Sequence, residues 1–104
     1  MNLSLSRKQY TTLSKQIDEK REIEWSVSEG YEDEMAFFLL ELEDAVFENK
    51  SVHKFDIDLN VADALACSDY DLALVFSTHY FKMIAAMAKR GEHQQVNAAL
   101  AARR

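Results

Sequence analysis

Tyr10, Leu13 and Ile17 recur at the spacing that lines one seam of an α-helix. Ser6 and Gln9 stand three apart just ahead of that seam as a capping box, and Leu5 with Tyr10 sits at the spacing of a hydrophobic staple. The pattern predicts a first helix over residues 6–21 with one narrow buried stripe. After Ile17 the helical period fails: Ile23, Trp25 and Val27 alternate with Glu24, Ser26 and Ser28, which fits an extended stretch over 22–28 as well as a continued helix. Phe55, Ile57 and Leu59 alternate in the same way with Lys54, Asp56 and Asp58, and a short ribbon between the two stretches is one arrangement open to them.

A second helix is expected over residues 29–49. At about 100° per residue, Tyr31, Met35, Phe38, Leu39, Leu42 and Val46 share one core-facing arc. Ala36, Phe37, Leu40 and Phe47 fall on the far side among Asp33 and Asp44, and that second apolar set needs a contact of its own. Asn60 with Asp63 marks a short third helix, and Ser68 with Asp71 a fourth over 69–90, with Cys67 and Leu72 as its staple. The fourth helix is apolar almost all round, which places it centrally. Gly91 closes it behind Lys89 and Arg90, and a last helix over 92–102 offers Val96 and Leu100 as a lid.

These elements predict a mainly α fold: residues 1–104 as a compact single-domain bundle of four to five helices, with at most a small two-stranded β ribbon. A chain of 104 residues suits one core. Proline is absent and glycine occurs twice, which favours long helices over turn-rich sheet. With 48% hydrophobic and 29% charged residues, the composition is that of a globular protein and not of a disordered or membrane one. Cys67 stands alone, so no intrachain disulfide can form, and with no secretory leader pattern or membrane-length apolar run the expected setting is the cytoplasm.

Charge changes the picture more than composition does. The formal total of -6 divides into +3 over residues 1–21, -13 over 22–71 and +4 over 72–104. An acidic middle lies between two basic ends, Arg7, Lys8, Lys15, Lys20 and Arg21 on one side and Lys82, Lys89, Arg90, Arg103 and Arg104 on the other. Those basic residues are dispersed and not interleaved with exposed aromatics, so direct nucleic-acid binding is not expected.

Few residues carry recognisable chemistry. His53, Asp56 and Asp58 resemble metal ligands in type, but in an extended segment His53 faces away from the two aspartates, so no metal is expected there. Cys67 sits at a helix mouth among Asp63, Asp69 and Asp71, which oppose a thiolate, and is read as a buried staple residue. His79 lies by angle between Leu72, Met83 and Ala86, as a core histidine with one hydrogen-bond partner. Tyr80, Phe81, Met83 and Met87 read as packing rather than a cofactor pocket. No catalytic residue, cofactor or metal is expected, and the chain is read as a non-enzyme.

The carboxylates of the second helix are the remaining signal. Glu34, Glu41 and Glu48 recur every seven residues, Asp44 is next to them, and Phe37, Leu40 and Phe47 run alongside. No lysine or arginine within the helix relieves the crowding, so something basic is expected opposite. One source is the chain's own basic ends folded back on the middle. The other is an external basic protein, for which Glu34, Phe37, Leu40, Glu41, Asp44, Phe47 and Glu48 would form the docking surface, with apolar anchors inside a charged rim. The helix alone carries about one carboxylate per 4 Å, too sparse to imitate a duplex at one charge per ~1.7 Å unless Asp56, Asp58, Asp63, Asp69 and Asp71 align with it.

The expected function is therefore a protein-binding module docking on a basic partner, which could itself bind nucleic acid. Small acidic inhibitors such as anti-CRISPR and antirestriction proteins offer an analogy of charge and size alone. The alternatives are a self-assembling subunit, a homo-oligomer whose basic ends meet the acidic middle of the next copy, and an antitoxin or immunity protein that neutralises a basic toxin.

Overall fold

The computed structural model describes residues 1–19 and 32–102. The described residues form strand β1 (Asn2–Ser6), helix α1 (Arg7–Glu19), helix α2 (Glu32–Glu48), strand β2 (Val52–Asp56), and helices α3 (Leu59–Ala66), α4 (Ala73–Lys89) and α5 (His93–Ala102). This is the mainly α fold with a two-stranded ribbon that the hydrophobic pattern predicts. Helix α1 packs on α2, α3 lies against α4, and α5 closes over α4. No helix among the described residues is long and apolar enough to cross a membrane.

The capping box forms as predicted and fixes where strand becomes helix. The Ser6 amide donates to Gln9 Oε1 at 2.9 Å, and the Gln9 amide donates to Ser6 Oγ at 3.2 Å. Such a cap contributes about 1 kcal/mol, enough to hold this abrupt junction. Tyr10 and Leu13 of the predicted seam are buried, and Ile17 is partly buried against the core.

The ribbon exists with a different partner. β1 pairs antiparallel with β2, Leu3 opposite Phe55 and Leu5 opposite His53. The expected strand over 22–28 lies outside the described residues. Leu3 and Leu5 alternate with Asn2, Ser4 and Ser6, a period-2 signal only five residues long that the stronger helix start just after it masks. β2 occupies Val52–Asp56 and not 54–59, because Asp58 leaves the strand to cap α3, accepting the Asn60 amide at 2.9 Å. Asp58, not Asn60, is thus the helix cap.

α4 begins at Ala73, later than the expected start, and Leu72 at its mouth supplies no side-chain cap. Ser68 is used otherwise: its hydroxyl donates to the Leu65 carbonyl at 2.6 Å and accepts the Tyr70 amide at 3.3 Å, closing the end of α3. The Asp71 amide donates to Gln16 Oε1 of α1 at 3.0 Å, so the expected Ser68–Asp71 box does not form. Cys67 is accordingly exposed and not a buried staple, its sulfur 3.8 Å from Asp63 Oδ1. At the other end Gly91, at φ +80°, lets the Glu92 amide reach the Met87 carbonyl at 3.0 Å, the predicted glycine stop.

An aromatic cluster joins the layers. Phe55 of β2 stands 5.7 Å from Phe38 of α2, 6.4 Å from Tyr10 of α1 and 4.5 Å from His53 on its own strand. Phe38 also meets Phe76 of α4 edge-on at 6.2 Å. The Tyr10 hydroxyl crosses to the Lys50 carbonyl and ties α1 to the turn before β2. α4 is less enclosed than its composition implies: Phe76, His79, Tyr80, Met83 and Ile84 are buried, but Leu74 and Phe81 are exposed. Val96 of α5 is buried and Leu100 is not.

Candidate docking surface on the second helix

α2 is held by one stripe and leaves the opposite one open. Met35, Phe38, Leu42 and Ala45 are buried and Leu39 is partly so, whereas Val46, expected in the core, is exposed. Tyr31 lies outside the described residues. Phe37, Leu40, Asp44 and Phe47 follow at intervals of three or four, which stacks them on one outward face. Phe37 is 72% exposed, Leu40 58% and Phe47 89%. Water-facing phenylalanines at two points of one helical face are unusual where a helix serves packing alone. Asn49 ends the helix at φ 56°, its amide donating to the Ala45 carbonyl at 2.9 Å.

The seven carboxylates of α2 have no lysine or arginine within the helix, and the three heptad-spaced glutamates meet three different fates. Glu48, unfavourably placed near the negative end of the helix dipole, pairs with Lys50 at 3.2 Å in an exposed contact of little energetic weight. Glu41 turns inward to β2. Its Oε1 accepts the Asp56 amide at 3.1 Å, and its Oε2 lies 3.5 Å from His53 Nε2, too long for a good hydrogen bond. Glu34, and Asp44 on the outer face, have no ion-pair partner among the described residues.

The described part of the basic ends does not supply the missing charge. Among the described residues, Arg7, Lys8, Lys15, Lys82 and Lys89 make no ion pair with α2, and Arg90 is taken by Glu92 at 2.8 Å. Among the described residues, the internal counterpart to the acidic helix thus amounts to Lys50 on Glu48, with His53 beside Glu41.

Two aspartates that the sequence leaves apart from this helix come beside it. Asp56 and Asp58 line an open groove together with Glu34, Phe37, Phe38 and Glu41 of α2. Nothing local in the sequence announces this, since the contact spans some fifteen residues and depends on how β2 docks against α2. Asp63 belongs to α3, and Asp69 and Asp71 lie in the turn after it.

The remaining candidates stay separate. His79 is buried on α4, and burial pushes its pKa below the usual 6.5; a hydrogen bond to the Met1 backbone opposes this, and the amino terminus and Lys82 add to the lowering. Its Nε2 has no hydrogen-bond partner among the described residues. His79 and Cys67 are not brought together with a third chemical group, and among the described residues no three His, Cys, Asp or Glu side chains converge as a metal site. No protein-family model, no curated protein and no solved structure matches this chain.

Proposed function

We propose that the protein is a non-enzymatic binding module whose α2 face docks on a basic partner protein. The observation that carries this reading is the exposure of Phe37, Leu40 and Phe47 beside Asp44 on one helical face, where among the described residues Lys50, on Glu48, is the one lysine or arginine in ion-pair contact. Apolar anchors inside a charged rim are the arrangement that gives a protein interface both its affinity and its orientation. The acidic rim favours a cationic surface and speeds encounter with it. Surfaces that bind nucleic acid are cationic for the same reason, so such a partner would lose access to its nucleic acid while docked, which is inhibition by occupancy. Recognition through apolar anchors does not need the charge density of a duplex.

The test is affinity capture from the source cells with three baits: the native chain, Phe37→Ser with Phe47→Ser, and Asp44→Lys with Glu48→Lys. A basic protein enriched by the native chain and lost from both variants is expected. Retention by the charge-reversed bait, or capture of an acidic partner, would overturn the proposal. Sedimentation of the pure protein at low and high salt is the companion measurement. A salt-sensitive oligomer would place the counterpart in a second copy of the chain.

A further inference from the structure

A groove beside the docking face indicates what part of a partner it receives, an inference that rests on the function proposed above. The groove encloses about 720 Å³ between α2, the end of β2 and the start of α3. Met1, Phe37, Phe38, Ile57, Leu59 and Met83 are its apolar lining. Glu34 and Glu41 stand on the α2 wall and Asp56 and Asp58 on the other, and among the described residues no lysine or arginine lines it. Two of these carboxylates are already committed to backbone amides, Glu41 to that of Asp56 and Asp58 to that of Asn60. The side chains of Glu34 and Asp56 have no ion-pair partner among the described residues.

We infer that the groove receives a short segment of the basic partner, one apolar side chain settling over Ile57, Leu59 and Met83 while arginines or lysines on either side of it meet Glu34 and the Asp56–Asp58 wall. Charge complementarity selects this occupant. An acidic or neutral polar segment would leave the Glu34 and Asp56 carboxylates facing it uncompensated, and a purely apolar one would desolvate them without return. Continuity selects a protein segment over a small solute: Phe37 lines the groove and also stands on the outer face, so the two surfaces form one contact area. Arginine suits the walls better than lysine, because its planar fork engages a carboxylate through two hydrogen bonds.

The probe is an acetylated, amidated peptide of repeated Arg-Leu-Ala, with its Glu-Leu-Ala counterpart as control, followed by methyl and amide NMR shifts of the full chain. Saturable shifts at Ile57, Leu59 and Met83 are expected with the arginine peptide only. Glu34→Gln with Asp58→Asn should weaken that binding roughly tenfold, since two wall charges are lost while asparagine still caps α3. Leu40→Ser with Phe47→Ser should leave it unchanged. Equal shifts with the glutamate peptide, or indifference to the wall substitutions, would overturn the inference. Shifts confined to Leu40 and Phe47 would remove the groove and leave the outer-face reading standing, whereas no saturable shift at either surface would count against both.

Discussion

Phe37 and Phe38 are neighbours on one helix, and truncating each to alanine separates the surface that folds the protein from the surface left for a partner. Phe38 is 2% exposed, with rings of Phe55 and Phe76 at 5.7 and 6.2 Å; Phe37 is 72% exposed. A buried phenylalanine removes about 150–250 Å² from water, which at ~25 cal/mol/Å² is worth about 4–6 kcal/mol as an upper bound. Measured Phe→Ala losses in cores run about 3–5 kcal/mol, and alanine returns about 0.5 kcal/mol of helix propensity at either position. The expected net loss is therefore about 3–4 kcal/mol for Phe38→Ala and under about 1 kcal/mol for Phe37→Ala. Urea unfolding followed by circular dichroism reads the difference directly. With a slope near ~1.5 kcal/mol/M, the midpoint should fall by about 2 M for Phe38→Ala and by under ~0.7 M for Phe37→Ala. A cost above about 2 kcal/mol at Phe37 would mean that this face is already covered, and would remove the physical basis for docking there.

Three further outcomes follow from the contacts. Tyr10→Phe should cost about 1 kcal/mol in the same assay, because the buried hydroxyl's bond to the Lys50 carbonyl is lost with little change of shape. Glu41→Ala should cost about 1–2 kcal/mol by freeing the Asp56 amide, whereas Glu41→Gln, which can still accept that hydrogen, should cost less than half as much; equal losses would show that charge and not the hydrogen bond matters. His79 has its folded pKa below its unfolded value, so the unfolded chain binds the proton more readily. Its contribution to stability is therefore complete above about pH 6.5 and declines as pH falls toward the folded pKa. The stability difference between the native chain and His79→Leu should shift in that direction between pH 7.5 and 5, and a constant difference would refute the burial argument.

The sequence made the long periodic elements readable and hid the arrangements that depend on tertiary contact. Tyr10, Leu13, Met35, Phe38 and Leu42 are core because their spacing repeats over several helical turns, which gives a strong signal. β1 was not expected because five residues of alternation are a weak signal beside a capping box. The Ser68 and Asn60 caps failed for another reason: a short polar side chain in a turn has several backbone groups within reach, and the choice is made by packing. Cys67 became exposed as a consequence of that choice. For the candidate surface, the outward set Phe37, Leu40 and Phe47 was legible from the helical wheel alone. The inward turn of Glu41 was not, since it depends on a strand fifteen residues further on. The groove walls of Asp56 and Asp58 were hidden for the same reason.

The pairing of β1 with β2 also bears on the order in which the chain assembles. Residues 2–6 meet residues 52–56 only when the ends of a loop of nearly fifty residues are brought together, whereas α3 and α4 are neighbours in the chain. Loop closure on that scale costs about 3–4 kcal/mol before any ribbon contact repays it, so local helix pairing should lead and the ribbon should follow. On a ribosome, β1 emerges before β2 and is then among the later elements to find its place. Its brevity, its serines and its lack of a long apolar run suit a strand that must wait in water.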